Sequence, residues 1–142
     1  MIEQTVARAR VLLAGMKNLG DLQPREEDYA AVFVAEVVEQ ARSGYRSLWS
    51  QVPPWPVKPD QTDLRIGAAF AKDFATENAR IRPFPGGYRD VARYLLPDRI
   101  WIVWEHVTPG AKDGILFDGL VAIDDHFAWF PKPWRVLGAA SQ

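Results

Sequence analysis

Five side chains in the last third of the chain form the only grouping whose residue types are typical of metal binding or acid-base catalysis. They are His106, Asp118, Asp124, Asp125 and His126. If the predicted strands at 99–107 and 115–123 are antiparallel neighbours, the two histidines lie at opposite ends of the sheet. The sequence therefore predicts no shared metal site and no bound transition metal, and the Asp-Asp-His triplet is typical of a turn.

His106 and Asp118 are the candidate acid-base groups if the protein is an enzyme. A lone histidine on an apolar strand beside Glu105 is, however, more often a hydrogen-bonded structural residue. The chain has no cysteine and no Gly-x-Ser-x-Gly or His-Glu-x-x-His motif. Its serines fall in a predicted helix, a connector and the C-terminal tail, so covalent catalysis is disfavoured, and no cofactor is predicted.

A second candidate site combines the segment 129–135 with the loop 83–89. Prolines and paired glycines interrupt regular structure in both segments, and prolines hold neighbouring side chains at low entropic cost. The residues predicted to bind a ligand are Arg82, Phe84, Tyr88, Arg89, Trp129, Lys132, Trp134 and Arg135. The aromatic rings would supply apolar area and the basic groups would orient an anionic or carbonyl-bearing partner. The alternative is that Trp134 is a core residue.

Five arginines near Gly86-Gly87 give a weaker indication of an anion site, because backbone amides and guanidinium groups hold carboxylates and phosphates. They are Arg80, Arg82, Arg89, Arg93 and Arg99. No phosphate-loop or dinucleotide pattern accompanies them, so a solvated surface is favoured.

The candidate residues lie on a predicted antiparallel sheet. Residues 99–107 are rich in β-branched and aromatic residues and predict a central strand, with Ile102 and Trp104 on one face and Trp101 and Val103 on the other. Residues 115–123 predict the next strand, with regular alternation that puts Phe117 and Val121 on one face and Asp118 and Leu120 on the other.

Asp124-Asp125 is predicted to close a two-residue hairpin into 126–130. This register places Leu120 opposite Trp129 and Ala122 opposite Phe127. After two prolines, Trp134 to Leu137 is predicted to form an edge strand or a clip folded onto the sheet.

The N-terminal 49 residues are predicted to form an antiparallel helical hairpin. Apolar residues recur at helical spacing from Ile2 to Met16, in a helix ending near Gly20, and again from Tyr29 to Leu48 in a second, longer helix. The connection between the helices is short, which favours antiparallel packing.

Residues 50–61 are predicted to be an extended connector, because prolines 53, 54, 56 and 59 exclude helix and central strand. Trp55 is interpreted as an anchor of this connector, and the alternative is a groove bordered by Trp49 and Trp55. A third helix is predicted from 62 to about 79, with a strand from Leu64 to Phe70 as the alternative. A short helix is predicted over 88–96.

The sequence as a whole predicts one α+β domain over 1–142. Its parts are a helical hairpin (1–49), a connector (50–61), a helix, loop and short helix (62–98), and antiparallel strands (99–137). The hairpin and third helix are predicted to pack on one side of a three- to four-stranded antiparallel sheet built from the C-terminal third. The net charge of −1 argues against a nucleic-acid partner.

The predicted function is a cytoplasmic binding or interaction domain without catalysis, whose partner is a protein or a small anionic ligand. The lack of cysteine fits a reducing compartment, and no apolar stretch predicts a membrane span or signal peptide. The alternative is a small enzyme or ligand-binding pocket that uses His106 or Asp118.

Overall fold

A four-stranded antiparallel sheet forms the middle of the protein in the computed structural model, which describes residues 1–138. The strands follow the order of the chain: β1 (Asp63–Phe70), β2 (Ile100–Val107), β3 (Ile115–Ile123) and β4 (His126–Trp129). β2 is an inner strand, as predicted. It places Ile102 and Trp104 in one hydrophobic cluster and Trp101 and Val103 in another, so both faces of the sheet are buried.

Five α-helices accompany the sheet within residues 1–138, which confirms the predicted α+β class. They are α1 (Ile2–Ala14), α2 (Asp28–Val32), α3 (Val38–Ser50), α4 (Gly87–Val91) and α5 (Pro133–Leu137). Turns of 3-10 helix lie at Leu19–Leu22, Ala35–Val37, Ala71–Ala75, Ala79–Ile81 and Ala92–Tyr94. No helix in this part of the chain has the length and apolar character needed to cross a membrane.

The helices cover both faces of the sheet, so the predicted packing on one side is wrong. Residues of α1 pack with Trp104, whereas residues of α2, α4 and α5 pack with Trp101. Most of α3 also lies with Trp101, and Leu48 and Trp49 near its end pack against both clusters. The predicted antiparallel hairpin is therefore wrong too, because the chain passes β4 at Leu19–Leu22 and reaches the opposite face. A sheet whose inner strands are apolar on both faces needs a cover on each face.

The predicted second helix is interrupted between α2 and α3. Phe33 is extended and forms an isolated bridge with Leu95. The Val34 N–H donates to the carbonyl of Tyr94 at 2.9 Å. These bonds to a distant segment replace the local helical bonds, so the apolar spacing that predicted one helix runs across two helices and a turn.

The predicted third helix is instead β1, and the alternative strand over Leu64–Phe70 is confirmed. β1 pairs with β2 over its whole length, with Gly67 opposite Val103. Without β1, one edge of the buried β2 would have unpaired backbone groups, which are costly away from water. The sheet therefore begins earlier in the chain than the C-terminal third.

β3 contains a register shift that the sequence-based alternation missed. Phe117 and Leu120 both pack on the Trp104 face, and the shift lies opposite the stretch between Ile102 and Trp104. Gly119 has a φ of +91°, a conformation that favours glycine. The shift moves Leu120 to the face opposite Asp118, which lies with Tyr88 on the Trp101 face.

The β3–β4 hairpin is confirmed with its predicted register. Leu120 lies opposite Trp129, and Ala122 lies opposite Phe127. Asp124 adopts a φ of +41°, which an aspartate tolerates better than most residues.

The predicted edge strand or clip at Trp134 to Leu137 is wrong, because these residues belong to α5. Pro133 occupies the first turn of α5, where its missing N–H costs nothing. Residues 51–62 contain neither helix nor strand, as expected of a proline-rich connector, and residues 58–61 form a turn closed by the Gln61 N–H and the Lys58 carbonyl. Trp55 stacks on Phe117 with ring centroids 5.7 Å apart, which supports its role as an anchor.

Candidate functional site

Asp118 organises the backbone beside the β4 edge. Its carboxylate is 6% exposed and accepts hydrogen bonds from the Tyr88 hydroxyl at 2.7 Å and from the Lys132 N–H at 2.8 Å. Lys132 has φ and ψ of 49° and 58°, a left-handed conformation that costs a side-chain-bearing residue about 1 to 2 kcal/mol. Asp118 therefore holds Lys132 in a strained backbone conformation, as is common at binding sites.

A cleft of about 500 Å³ adjoins this segment, between α3, the connector and α5. We call it the apolar cleft, and its lining residues are Gly44, Tyr45, Ser47, Leu48, Pro53, Trp129, Pro131, Lys132, Arg135 and Val136. The lack of a side chain at Gly44 lets Val136 lie directly against α3. Sequence reasoning found Trp129, Lys132 and Arg135 and missed the α3 wall, for which Gly44 inside a helical pattern was the available signal.

The charge of the apolar cleft is positive. Lys132 and Arg135 line it, and no acidic side chain within residues 1–138 does so. Nζ of Lys132 lies 3.9 Å from Asp118. The Arg135 guanidinium has no ion pair or hydrogen bond to any residue from 1 to 138. One cation of the cleft is thus available to a ligand.

Two tyrosines near the apolar cleft, Tyr45 and Tyr88, donate hydrogen bonds that hold the surrounding backbone and side chains in place. The Tyr45 hydroxyl donates to the carbonyl of Pro131 at 3.0 Å and fixes the start of the proline-containing segment. Burial raises the pKa of Tyr45 well above its ordinary value, and nearby Asp118 adds to the rise. Burial and Asp118 raise the pKa of Tyr88 in the same way. Both hydroxyls therefore stay protonated near neutral pH.

The predicted site is only partly assembled. The segments 83–89 and 131–135 do meet, but through a core contact in which Trp134 lies over Gly87 and packs on Tyr88 with centroids 5.2 Å apart. Phe84 and Tyr88 are 7% and 0% exposed, so they are core residues in this structure and not the exposed apolar area that the sequence predicted. Their place on the inner face of a short helix and turn puts them in the core.

The predicted arginine cluster does not converge on the glycines. Arg89 pairs with Glu77, and Arg99 pairs with Asp124 at 3.0 Å. Arg93 lies over the ring of its neighbour Tyr94. Arg82 is exposed next to a turn that contacts β1, whereas the apolar cleft lies beside β4.

His126 belongs to a second group of polar side chains, together with Asp125 and Asp28. The sequence analysis had grouped His126 with Asp125 but not with Asp28. Its Nδ1 lies 2.7 Å from Asp125, and its Nε2 lies 2.9 Å from both oxygens of Asp28. Because both neighbours are carboxylates, only the doubly protonated ring satisfies both contacts. Burial lowers the pKa of His126, but the bonds to Asp125 and Asp28 and the charge of Asp28 outweigh burial and raise this pKa. The hydrogen bond from His126 lowers the pKa of Asp125.

His106 lies on the Trp104 face, away from the apolar cleft. Its Nε2 accepts a hydrogen bond from Nε1 of Trp104 at 3.2 Å, and Trp55 packs against its ring. Burial lowers the pKa of His106, which favours a neutral ring. His106 pairs with Ile115 and His126 pairs with Ile123, so the histidines do lie at opposite ends of β3.

No group of three or more histidine, aspartate or glutamate side chains within residues 1–138 is arranged to hold a metal ion. Comparison with protein-family models, with curated proteins and with solved structures finds no match to this chain.

Proposed function

We propose that this protein binds a small amphipathic anion in the apolar cleft and performs no catalysis there. The observation that carries the proposal is the Arg135 guanidinium, which has no ion-pair partner among residues 1–138 and lines a mainly apolar cleft that no acidic residue from 1 to 138 lines. A cleft of about 500 Å³ has the size of a small-molecule site, which supports a small ligand over a protein partner.

The ligand contacts follow from the lining residues. Trp129, Leu48 and Val136 would pack on the apolar body, and burial of that body drives association. Arg135 and Lys132 would hold the anionic group through charge-assisted hydrogen bonds. Asp118 acts as a positioning residue, since it fixes the backbone of Lys132.

The absence of catalysis is supported by the groups around the cleft. His106 and Asp118, the two candidate acid-base residues, do not line it. Tyr45 does, but its hydroxyl is committed to Pro131 and its pKa is raised. A cytoplasmic location remains part of the proposal, supported by a chain without cysteine.

Titration with anilinonaphthalene sulfonate and with its uncharged parent, anilinonaphthalene, tests the proposal. We expect the anion to bind more tightly than the uncharged molecule. Arg135→Gln should weaken binding of the anion about tenfold, or about 1.4 kcal/mol, and leave the uncharged probe unaffected. Ser47→Trp, on an exposed position of the cleft wall, should fill the cleft and weaken both probes.

Arg82→Gln is the matched control, because Arg82 is an exposed arginine beside β1, away from the cleft. It should leave the affinity for both probes unchanged. Equal affinities for the two probes, or an equal effect of Arg82→Gln and Arg135→Gln, would contradict the proposal.

A further inference from the structure

A second, smaller pocket lies on the other side of the C-terminal half of α3. Its volume is about 240 Å³, and we call it the arginine pocket. It is lined by Gln23, Pro24, Glu26, Tyr29, Arg42, Arg46, Trp49 and Ser50, none of which lines the apolar cleft. The two sites share no lining residue, although Trp49 packs edge-on against Trp129 of the apolar cleft. Neither proposal depends on the other.

The arginine pocket holds an excess of hydrogen-bond donors. The Arg46 guanidinium has no ion pair or hydrogen bond to any residue from 1 to 138. Nε1 of Trp49 is buried and has no acceptor in the same part of the chain. A buried N–H without an acceptor is unfavourable, so an acceptor supplied by a ligand would stabilise it.

The charges in the arginine pocket also favour a ligand that accepts hydrogen bonds and carries negative charge. Arg42 and Arg46 are one helical turn apart on α3, a spacing at which like charges repel. Glu26 is the acidic residue of the pocket, and it already contacts Nε of Arg42 at 3.0 Å. Arg42 is also bonded to Glu39. These pairs balance Arg42 and leave Arg46 without a counterion among residues 1–138.

We propose that the arginine pocket is a binding site for a small oxyanion, a phosphate or a carboxylate. Arg46 supplies the charge, with its planar guanidinium suited to paired oxygens. The Trp49 N–H and the Tyr29 hydroxyl, which has no partner within residues 1–138, supply neutral donors. The volume of about 240 Å³ admits an ion of this size.

Titrations with inorganic phosphate and with acetate at constant ionic strength, followed by the NMR resonance of the Trp49 indole N–H, test the site. We expect a saturable shift of this resonance. The Trp101 indole N–H, fully buried in the core, serves as the internal reference. Saturation by phosphate alone identifies phosphate as the ligand, saturation by acetate alone identifies a carboxylate, and saturation by both supports the shared oxyanion chemistry.

Two variants separate this site from the apolar cleft. Arg46→Gln should weaken anion binding at least about fivefold, because it removes the unpaired charge. Arg135→Gln should leave it unchanged. Trp49→Phe removes one donor while keeping a ring of similar shape, and isothermal calorimetry should then show about a threefold loss of affinity. No saturable shift with either anion, or equal shifts in wild type and Arg46→Gln, would overturn the proposal.

Discussion

Nε2 of His126 lies 2.9 Å from both carboxylate oxygens of Asp28, which is 98 positions earlier in the chain. Asp28 is 1% exposed and also accepts the backbone N–H of Arg25 at 2.7 Å. The pair joins the start of α2 to the β3–β4 hairpin. An imidazolium that neutralises a buried carboxylate makes this junction sensitive to pH.

His126→Gln should therefore destabilise the protein in a pH-dependent manner. The pKa of His126 is raised by folding, so its contribution to stability is fully present below the unfolded-state pKa of about 6.5 and is lost as pH rises through the folded-state pKa. We expect a loss of about 3 kcal/mol on the acidic side that shrinks above the folded-state pKa. Urea unfolding from about pH 5.5 to about pH 8.5 measures it.

His106→Gln provides a control of opposite sign. Burial lowers the pKa of His106, so its contribution to stability is lost as pH falls through the unfolded-state pKa of about 6.5. The destabilisation caused by His106→Gln should thus decrease toward acidic pH. A constant difference from wild type across the same pH range, for either variant, would contradict the assigned protonation states.

Removing the Tyr88 hydroxyl should cost more than removing the Tyr45 hydroxyl. Tyr88 donates to the carboxylate of Asp118, whereas Tyr45 donates to the neutral carbonyl of Pro131. We expect Tyr88→Phe to lower the free energy of unfolding by about 1.5 to 3 kcal/mol and Tyr45→Phe by about 0.5 to 1.5 kcal/mol. Urea unfolding of both variants measures the difference, and equal losses would argue against a charged acceptor.

Gly119→Ala should destabilise the register shift in β3. The backbone at Gly119 has a φ of +91°, and an added Cβ would collide with the carbonyl group of Phe130. We expect a loss of at least about 1 to 3 kcal/mol from backbone strain alone. Gly86→Ala is the matched control, because an added Cβ there meets open space and its φ is −62°. It should leave stability unchanged or raise it by up to about 1 kcal/mol.

Trp134→Ala should lower the thermal stability, while Arg135→Ala should not. Trp134 is half-buried against Tyr88 and Gly87, and truncation of a packed tryptophan costs about 3 kcal/mol or more. Arg135 is exposed, so its truncation should change stability by less than about 0.5 kcal/mol. Thermal melts separate the two effects. A small change in melting temperature for Trp134→Ala would indicate that Trp134 is a surface residue available to a ligand.

Within the candidate site, the sequence located one side of the apolar cleft and not the other. Trp129, Lys132 and Arg135 were accessible because aromatic and basic residues next to prolines are typical of preformed binding surfaces. The residues that α3 contributes to the cleft could not be predicted in this way. The pattern of an amphipathic helix shows that it has an apolar face, but not which element that face packs against. Phenylalanine and tyrosine also occur on the surfaces of binding loops, so residue type alone could not place Phe84 and Tyr88. Only the packing showed that they lie in the core.

The sequence by itself determined the elements whose energetics are local. Three features follow from side-chain periodicity, turn geometry and proline stereochemistry, which depend on residues close in the chain. They are the alternating faces of β2, the turn at Asp124-Asp125 with its register, and the lack of helix and strand in the connector. These forces act the same way wherever the segment is placed.

The tertiary structure decided the features that depend on partners far along the chain. Phe33 is extended because it bridges to Leu95, and β1 is a strand because β2 needs a second neighbour. The contact of Asp28 with His126 likewise exists only once α2 and the β3–β4 hairpin are packed together. In each case burial makes an unpaired backbone group or charge costly, so long-range pairing outweighs the weaker local preference.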